Sequence, residues 1–421
     1  MKKKAILLVL MMALMLVLVA CGGNGGRDRG HDRDDDYEED RDDEDRDEEE
    51  KDDEDKEVAE EEADKPASEN VVVNTPSELS DDLYSFQVSI DGTVYQFPMW
   101  AKEFKALGWT YDGDGSQTIT SNQYTFSETW FKGDAKVYAN FLNLTMNELT
   151  YDEAAIGGIT FEEYYLEDTD VEIILPKGIQ YGVSSRDDII AAYGDPTDEY
   201  DGSLYYNMTY KYDTYSKIDL YVYKETGTLD KIELRNFVEL EGGDNSVDAT
   251  VPDVVKEYKA PSELGNDLYG FNIQLEGKLY TLPCPVSVFI ENGFKINEKN
   301  SQMEIAADSY GWIELSYNNQ TYRCIVDNYA NYATVAQNCF VTTMKSSIYG
   351  PEFDLVIPGN IKVGDSESAV LEIIKKFNYE TETSGDFTYY EVSNPEGSIL
   401  AGYEITVKEG KVISLEVEYD D

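Results

Sequence analysis

The chain has 421 residues, with 34 Lys or Arg against 86 Asp or Glu, so its formal net charge is −52. A protein of that charge repels nucleic-acid phosphates, which excludes nucleic acid as a partner. Because 41% of the residues are hydrophobic and 12% aromatic, the chain can fill real cores outside its charged stretches.

The first 20 residues have the features of a signal peptide. Three lysines precede the apolar run Ala5–Val19, whose 15 residues fall short of the roughly 20 that span a membrane. The run ends in Leu18-Val19-Ala20-Cys21, which resembles the lipobox of bacterial lipoproteins. The resemblance implies cleavage before Cys21, acylation of its thiol, and anchoring on an extracytoplasmic membrane face. An ordinary signal peptide or an uncleaved anchor is the alternative, and the choice between a Gram-positive surface and an outer membrane stays open.

An acidic stretch follows the lipobox. Residues 27–65 contain 25 acidic and 8 basic side chains and almost no apolar ones. Such a segment cannot bury enough surface to offset its ordering entropy, so residues 21–75 are predicted to form a disordered acidic linker. It is interpreted either as a spacer or as a weak binder of divalent cations or cationic polymers. His31 lies inside this linker and is expected to be solvated, acting neither as a metal ligand nor as a base.

Beyond residue 75 the chain repeats itself. The sequence of Pro76–Phe86 returns 185 positions later as Pro261–Phe271, and that of Ile174–Ile179 returns 182 positions later as Val356–Ile361. Two matches in the same order indicate a tandem duplication with a small net deletion. The predicted division is a repeat domain at 76–241, a linker at 242–260 and a second repeat domain at 261–421.

Each copy is predicted to begin with a β-hairpin and a short helix. In the first copy, strands at Phe86–Ile90 and Thr93–Phe97 flank Asp91-Gly92, a strong two-residue turn signal. Glu276-Gly277 occupies the same place in the second copy. Apolar residues at helical spacing, from Trp100 to Leu107, then predict the helix.

The second part of each copy is predicted to be a helix followed by an antiparallel meander. Ser184–Asp187 places a serine before acidic residues, as at a helix start, and the helix is expected to end at Gly194. Leu204–Tyr212, Lys217–Tyr223 and Leu229–Phe237 then alternate polar and apolar residues. The predicted fold class is α+β: two tandem similar domains, each a mainly antiparallel sheet with one or two short helices, after a disordered acidic tether.

The helix-and-meander part carries a further resemblance. Gly178–Thr197 and the tyrosine-rich strands after it are similar to small outer-membrane assembly lipoproteins and to β-lactamase-inhibitor proteins. Both families share a helix followed by an antiparallel sheet and act by binding other proteins. The second copy departs from this pattern, because Asn378-Tyr379 replaces the Gly-x-Pro turn. The layout of each copy also resembles uncharacterised Gram-positive lipoproteins with tandem repeats.

Catalytic and metal-binding patterns are scarce in the sequence. The only histidine lies in the acidic linker, so the common Ser or Cys triads and histidine zinc sites are not available. Asp112–Ser116 has the first oxygens of a calcium loop, but Gln117 and Gln123 stand where a glycine and a glutamate are needed, which favours a simple turn. No catalytic residue, metal site or cofactor is predicted.

Three cysteines remain after Cys21, and all lie in the second copy. They are Cys284, Cys324 and Cys339, and they form either one disulfide with a thiol left over or buried free thiols. Met99 occupies the position of Cys284 in the first copy, so the repeated fold does not depend on that sulfur.

Tyrosine is the other excess, with 33 residues, many of them in predicted strands. Alternate tyrosines share one sheet face, which indicates either half-burial on an amphipathic strand or a binding face for protein or glycan. The candidate binding residues are Tyr205, Tyr210, Tyr212, Tyr221 and Tyr223. The sequence thus predicts a membrane-anchored extracytoplasmic lipoprotein that acts as a non-enzymatic binding module. A carboxylate-dependent envelope hydrolase and a substrate-binding lipoprotein are the alternatives.

Overall fold

The computed structural model describes residue 73 and residues 75–166, 169–207, 216–398 and 400–420. The predicted signal peptide, Cys21, His31 and nearly all of the acidic linker lie outside the described residues. The described chain is mainly antiparallel sheet with a few short helices, which confirms that part of the predicted fold class. We call residues 83–236 the first half and residues 268–418 the second half.

The two halves contain similar series of strands. Those of the first half are β1 (Gln87–Ile90), β2 (Thr93–Gln96), β3 (Met99–Trp100), β4 (Thr110–Tyr111), β5 (Thr118–Ile119), β6 (Gln123–Tyr124), β7 (Glu128–Lys132), β8 (Ala135–Asn143), β9 (Leu149–Thr150), β10 (Ala155–Glu162), β11 (Ile173–Leu175), β12 (Ile179–Gln180), β13 (Asp198–Tyr200), β14 (Ser203–Asn207), β15 (Ser216–Val222) and β16 (Leu229–Asn236). Those of the second half are β17 (Asn272–Leu275), β18 (Lys278–Thr281), β19 (Cys284–Pro285), β20 (Lys295–Ile296), β21 (Glu304–Ile305), β22 (Ser309–Tyr317), β23 (Gln320–Asn328), β24 (Thr334–Val335), β25 (Phe340–Val341), β26 (Thr343–Ser347), β27 (Leu355–Ile357), β28 (Ile361–Lys362), β29 (Tyr379–Ser384), β30 (Phe387–Ser393), β31 (Gly402–Lys408) and β32 (Lys411–Glu418).

The helices are short and lie between these strands. They are α1 (Ala101–Ala106), α2 (Glu163–Leu166), α3 (Arg186–Tyr193), α4 (Asp253–Glu257), α5 (Val286–Glu291) and α6 (Glu367–Ile374). The Ser185 hydroxyl accepts a hydrogen bond from the Asp188 amide at the start of α3, and Gly194 follows its last residue with φ of 82°. The predicted start and end of this helix are thereby confirmed. Within the described residues, no helix combines the length and apolar composition needed to cross a membrane.

The predicted hairpins are confirmed in both halves. In the first, β1 pairs with β2 across Asp91 and Gly92, whose φ values are 50° and 76°. In the second, β17 pairs with β18 across Glu276 and Gly277, with φ values of 50° and 76°. Two consecutive positive φ angles twist the turn in the sense of the flanking strands, and glycine adopts the second one without steric cost.

The longest sheet belongs to the first half. Its order is β13-β14-β15-β16-β10-β8-β7-β4, so β10 joins the C-terminal meander to the strands before it. In the second half the corresponding strands form two sheets, β19-β25-β23-β22-β20 and β26-β32-β31-β30-β29. Each half has its own hydrophobic core, one built around Phe104 and Trp130 and the other around Phe289 and Leu415.

The segment between the halves is hydrogen-bonded to both. The Asn147 side chain, which is buried, donates to the carbonyls of Asp244 (3.1 Å) and Ser246 (2.9 Å) and accepts from the Ala333 amide (2.7 Å). Asp248 forms a parallel bridge with Thr334 in the second half. The glycine- and charge-rich stretch therefore lies against both halves.

Candidate binding surface

The meander of the first half has one buried and one solvent-facing side. Leu204, Ile218, Leu220, Ile232 and Leu234 alternate along β14, β15 and β16 and are buried in the core. Successive strand residues point to opposite faces, so the intervening side chains point outwards. We call this outer side the tyrosine face; it consists of Tyr205, Lys217, Asp219, Tyr221, Lys231, Glu233 and Arg235.

The structure places three of the five predicted tyrosines on or beside this face. Tyr205 and Tyr221 are half-buried on adjacent strands, and the Tyr223 ring, 37% exposed, has its centroid 6.4 Å from that of Tyr221. Tyr210 and Tyr212 lie outside the described residues. Tyr206 points to the opposite side, where its hydroxyl donates to the Gly194 carbonyl at 3.1 Å.

A four-residue ion network lies beside the tyrosines. Lys217 Nζ contacts Asp219 Oδ2 at 2.6 Å and Glu233 Oε2 at 3.4 Å, and Arg235 Nη2 contacts Glu233 Oε1 at 2.6 Å. These side chains are only 14 to 18% exposed, so the contacts are screened less than ordinary surface ion pairs. Burial raises the pKa of Asp219, and the hydrogen bond from Lys217 opposes that rise.

Sequence reasoning identified the tyrosines but missed this network. The signal was present, because Lys217 and Asp219 are two apart in an alternating strand and so share a face with Tyr221. The sequence does not show which strand pairs with β15. Only the register of β15 against β16, which sets Asp219 opposite Glu233, brings the four charges together.

The corresponding face of the second half has a different charge. Adjacent strands place Glu391, Glu404 and Glu416 side by side, and Lys345 contacts Glu416 at 2.5 Å at one end of the row. Burial, followed by the charge of Glu416, raises the pKa of Glu404. Three glutamates and one lysine leave this row with a net negative charge, whereas the four charges of the first half sum to zero. The two faces therefore present different chemistry on similar strands.

The cysteines of the second half are buried free thiols. Cys284, Cys324 and Cys339 form no disulfide in the structure, although the sequence left that alternative open. Burial raises the pKa of Cys284 and of Cys324 to about 12, and it raises that of Cys339 as well. Since the thiolate is the reactive form, these thiols behave as small apolar side chains.

The calcium-like segment forms a turn. Asp114 Oδ1 accepts hydrogen bonds from the Ser116 hydroxyl (2.6 Å) and amide (2.9 Å), and these bonds lower the pKa of Asp114. In the part of the chain that the structure describes, no three His, Cys, Asp or Glu side chains are grouped so as to hold a metal ion.

Comparisons of this chain with protein-family models, with curated proteins and with solved structures give no match.

Proposed function

We propose that this protein is a lipid-anchored extracytoplasmic lipoprotein whose two similar domains act as non-enzymatic binding modules for a protein or glycan partner. The lipobox-like sequence before Cys21 supports the anchor. The tyrosine face supports the binding role.

Recurring details of the fold support a duplicated domain. Asn143 Nδ2 donates to the carbonyls of Ile119, Thr120 and Asn147. The amide of Asn328, 185 residues later, donates to the carbonyls of Ile305, Ala306 and Tyr332. The same side chain thus closes the same loop at the same offset as the sequence repeat. A shared hydrogen-bond pattern of this kind supports descent from one ancestral domain.

The observation that carries the binding role is the combination of rings and paired charges on the tyrosine face. Tyr205 and Tyr221 each have two rotatable side-chain bonds and are held on a hydrogen-bonded sheet, so they lose little entropy when a partner covers them. Tyrosine and arginine are also enriched among the residues that dominate binding energy. The neutral ion network beside them adds directional polar contacts without a large net charge.

The binding role is tested by capture from envelope extract. The mature chain is used as bait for envelope proteins and, in parallel, for peptidoglycan and purified glycans. Changing both Tyr221 and Tyr223 to alanine is expected to weaken capture of a saturable partner by about 10-fold or more, the range of interface hot spots. Tyr349→Ala is the matched control, because Tyr349 is 69% exposed but lies in the second half. Equal capture by both variants, or chemical alteration of a fraction without retention, would contradict the proposal.

The anchor is tested separately. Cys21→Ala removes the only thiol at the expected cleavage site, so the protein is expected to lose acyl incorporation. It is then expected either to keep its signal peptide or, if it is cleaved, to leave the membrane fraction. Cys284→Ala is the control, since Cys284 is buried in the second half. Membrane retention of the Cys21 variant with processing intact would show that another element anchors the chain.

A further inference from the structure

Asp230 is a buried acidic residue on the core-facing side of β16, in the first half. It stands second in β16, at an inward-facing position of the strand that also carries Ile232. The residue is 7% exposed, and neither carboxyl oxygen has a hydrogen-bond partner. The backbone holds it there, because Gly182 N donates to Leu229 O (2.6 Å) and Leu229 N donates to Ser184 O (2.8 Å).

The groups that act on Asp230 are acidic or neutral. They are the carboxylates of Glu163 in α2 and Glu225 in the turn before β16, together with the Tyr181 phenol, whose buried hydroxyl also has no partner. Glu225 and Glu163 also act on the neighbouring Tyr223 and raise its pKa. An acid in such surroundings is costly to ionise, because no cation pairs with it and the backbone amides of Asp230 and Tyr223, which lower its pKa, do not outweigh burial and the charge of Glu163.

The lysines nearest to it in sequence are engaged elsewhere. Lys231 Nζ contacts Glu162 Oε1 at 2.5 Å, and Lys224 Nζ contacts Asp201 Oδ1 at 2.5 Å. Lys231 also points to the tyrosine face, on the other side of β16 from Asp230.

The second half shows that the fold does not require this polar cluster. Gly364 N donates to Val412 O as Gly182 N does to Leu229 O, which makes Ile413 the counterpart of Asp230. By the same alignment Val363 corresponds to Tyr181, and the pairing of β26 with β32, matched to that of β10 with β16, makes Ile348 the counterpart of Glu163. Both Ile413 and Val412 are buried. Aliphatic residues thus stand at the positions of the acid, the phenol and the second acid, although Ile348 is 46% exposed.

We infer that Asp230 is a proton-binding site that makes the first half more stable in mild acid than at neutral pH, and that the second half, with Ile413 at the matching position, lacks this site. When the carboxyl is neutral, it can remain among Tyr181 and the core side chains at low cost. When it is ionised, its desolvated charge faces Glu163 and Glu225, which favours opening of the segments that enclose it.

The pH window follows from the direction of the shift. Burial, followed by the charge of Glu163, raises the pKa of Asp230 from 3.8 to about 6. The folded state therefore holds the proton more tightly than the unfolded state, and the stability due to this proton is lost as the pH rises from about 4 through 6. Relative to a neutral residue, the unfolding constant of the first half is expected to rise about 50-fold between pH 4 and pH 8.

The test compares the full mature chain with its Asp230→Asn variant in urea from pH 4 to pH 8, with a chelator present. Trp312→Phe in both backgrounds leaves Trp100, Trp109 and Trp130 as reporters, and all three lie in the first half. Acids remote from Asp230 titrate alike in the two proteins, so the difference between them reports Asp230 and its coupling to Glu163 and Glu225. An approximately 50-fold change in that difference supports the inference, and a difference that is constant with pH overturns it.

A direct titration keeps the inference testable if the variant folds poorly. Carboxyl ¹³C NMR of the unaltered protein, assigned through Asp230→Glu, is expected to show a midpoint near 6 for Asp230. A midpoint near 4 would overturn the inference. Ile413→Asp supplies the reciprocal test, because it is expected to transfer a pH response of the same sign to the second half, reported by Trp312.

Discussion

β10 is one strand in the first half, with a register shift between Ile156 and Gly158, whereas the matching residues of the second half form two strands, β25 and β26. In β10, a Cβ on Gly158 would lie 2.4 Å from the Leu234 carbonyl oxygen, so only glycine allows this close approach to β16. Thr343 holds the matching position in the second half, and its hydroxyl accepts a hydrogen bond from the Ile325 amide at 3.1 Å. β25 ends at Val341 and β26 begins at Thr343, and the two strands belong to different sheets.

The hydrophobic cores of the two halves also carry different residues at matching positions. Phe104 stacks on Trp109, with ring centroids 5.2 Å apart, and meets Trp130 edge-on at 5.1 Å. In the second half, Phe289 meets Phe294 at 5.6 Å, and Leu315 stands where the first half has Trp130. Similar strands thus enclose an aromatic core in one half and a more aliphatic core in the other. Backbone topology is compatible with both solutions so long as the inward positions stay apolar and well packed.

The largest effect is expected from removing the indole that distinguishes the first core. Trp130 is 0% exposed, so Trp130→Ala is expected to destabilise the first half by about 3 to 5 kcal/mol through lost burial and a cavity. Its Nε1 has no hydrogen-bond partner, so no hydrogen bond is lost with the ring. Urea unfolding followed by near-UV circular dichroism measures the effect. Leu315→Ala is the matched control and should destabilise the second half instead; a loss below about 1 kcal/mol in the tryptophan variant would contradict the packing account.

The junction offers the next largest effect. Asn147→Ala leaves two carbonyls and one amide without their buried partner, at an expected cost of about 2 to 3 kcal/mol. Because these bonds join the connecting segment and the second half to the first, calorimetry should show the transitions of the two halves moving further apart. Asn328→Ala removes four hydrogen bonds that lie within the second half and serves as the control. Unchanged calorimetry for the Asn147 variant would show that other contacts couple the halves.

The interrupted strand can be tested by exchanging the two residues. Gly158→Thr is expected to destabilise the first half by about 1 to 3 kcal/mol, because the new Cβ forces β10 away from β16. Hydrogen exchange should become faster in β16 near Leu234. The reciprocal change, Thr343→Gly, removes the hydroxyl that binds the Ile325 amide and should let β26 approach β32 more closely. Unaltered exchange in the Gly158 variant would show that the strands accommodate the side chain.

The smallest effect is expected from the cysteines. Cys339→Ala introduces the residue that the first half carries as Ala154, and it should change stability by about 1 kcal/mol or less, since the thiol acts as a small apolar group. A thiol reagent should label Cys339 of the unaltered protein only after denaturant is added. Rapid labelling of Cys339 in the folded protein, or a large loss in the variant without reducing agent, would contradict burial of a free thiol.

Much of the local structure could be predicted from the sequence. The hairpins at Asp91-Gly92 and Glu276-Gly277 and the capped start of α3 depend on residues within a few positions of one another. The alternation that directs Tyr205 and Tyr221 outwards is likewise local. The pairing of β15 with β16 is not local, so the contact of Lys217 with Glu233 could not be predicted.

The sequence by itself determined the repeat, the hairpins, the strand alternation and the candidate tyrosines, because these depend on residue identity and on a period of two or of 3.6 residues. Tertiary structure decided which strands are neighbours. That choice buried Asp230 beside Glu163, formed the ion network around Glu233, and set Asn147 between the halves. The physical reason is that burial and charge pairing depend on distances between residues remote in sequence, and those distances exist only after the chain has folded.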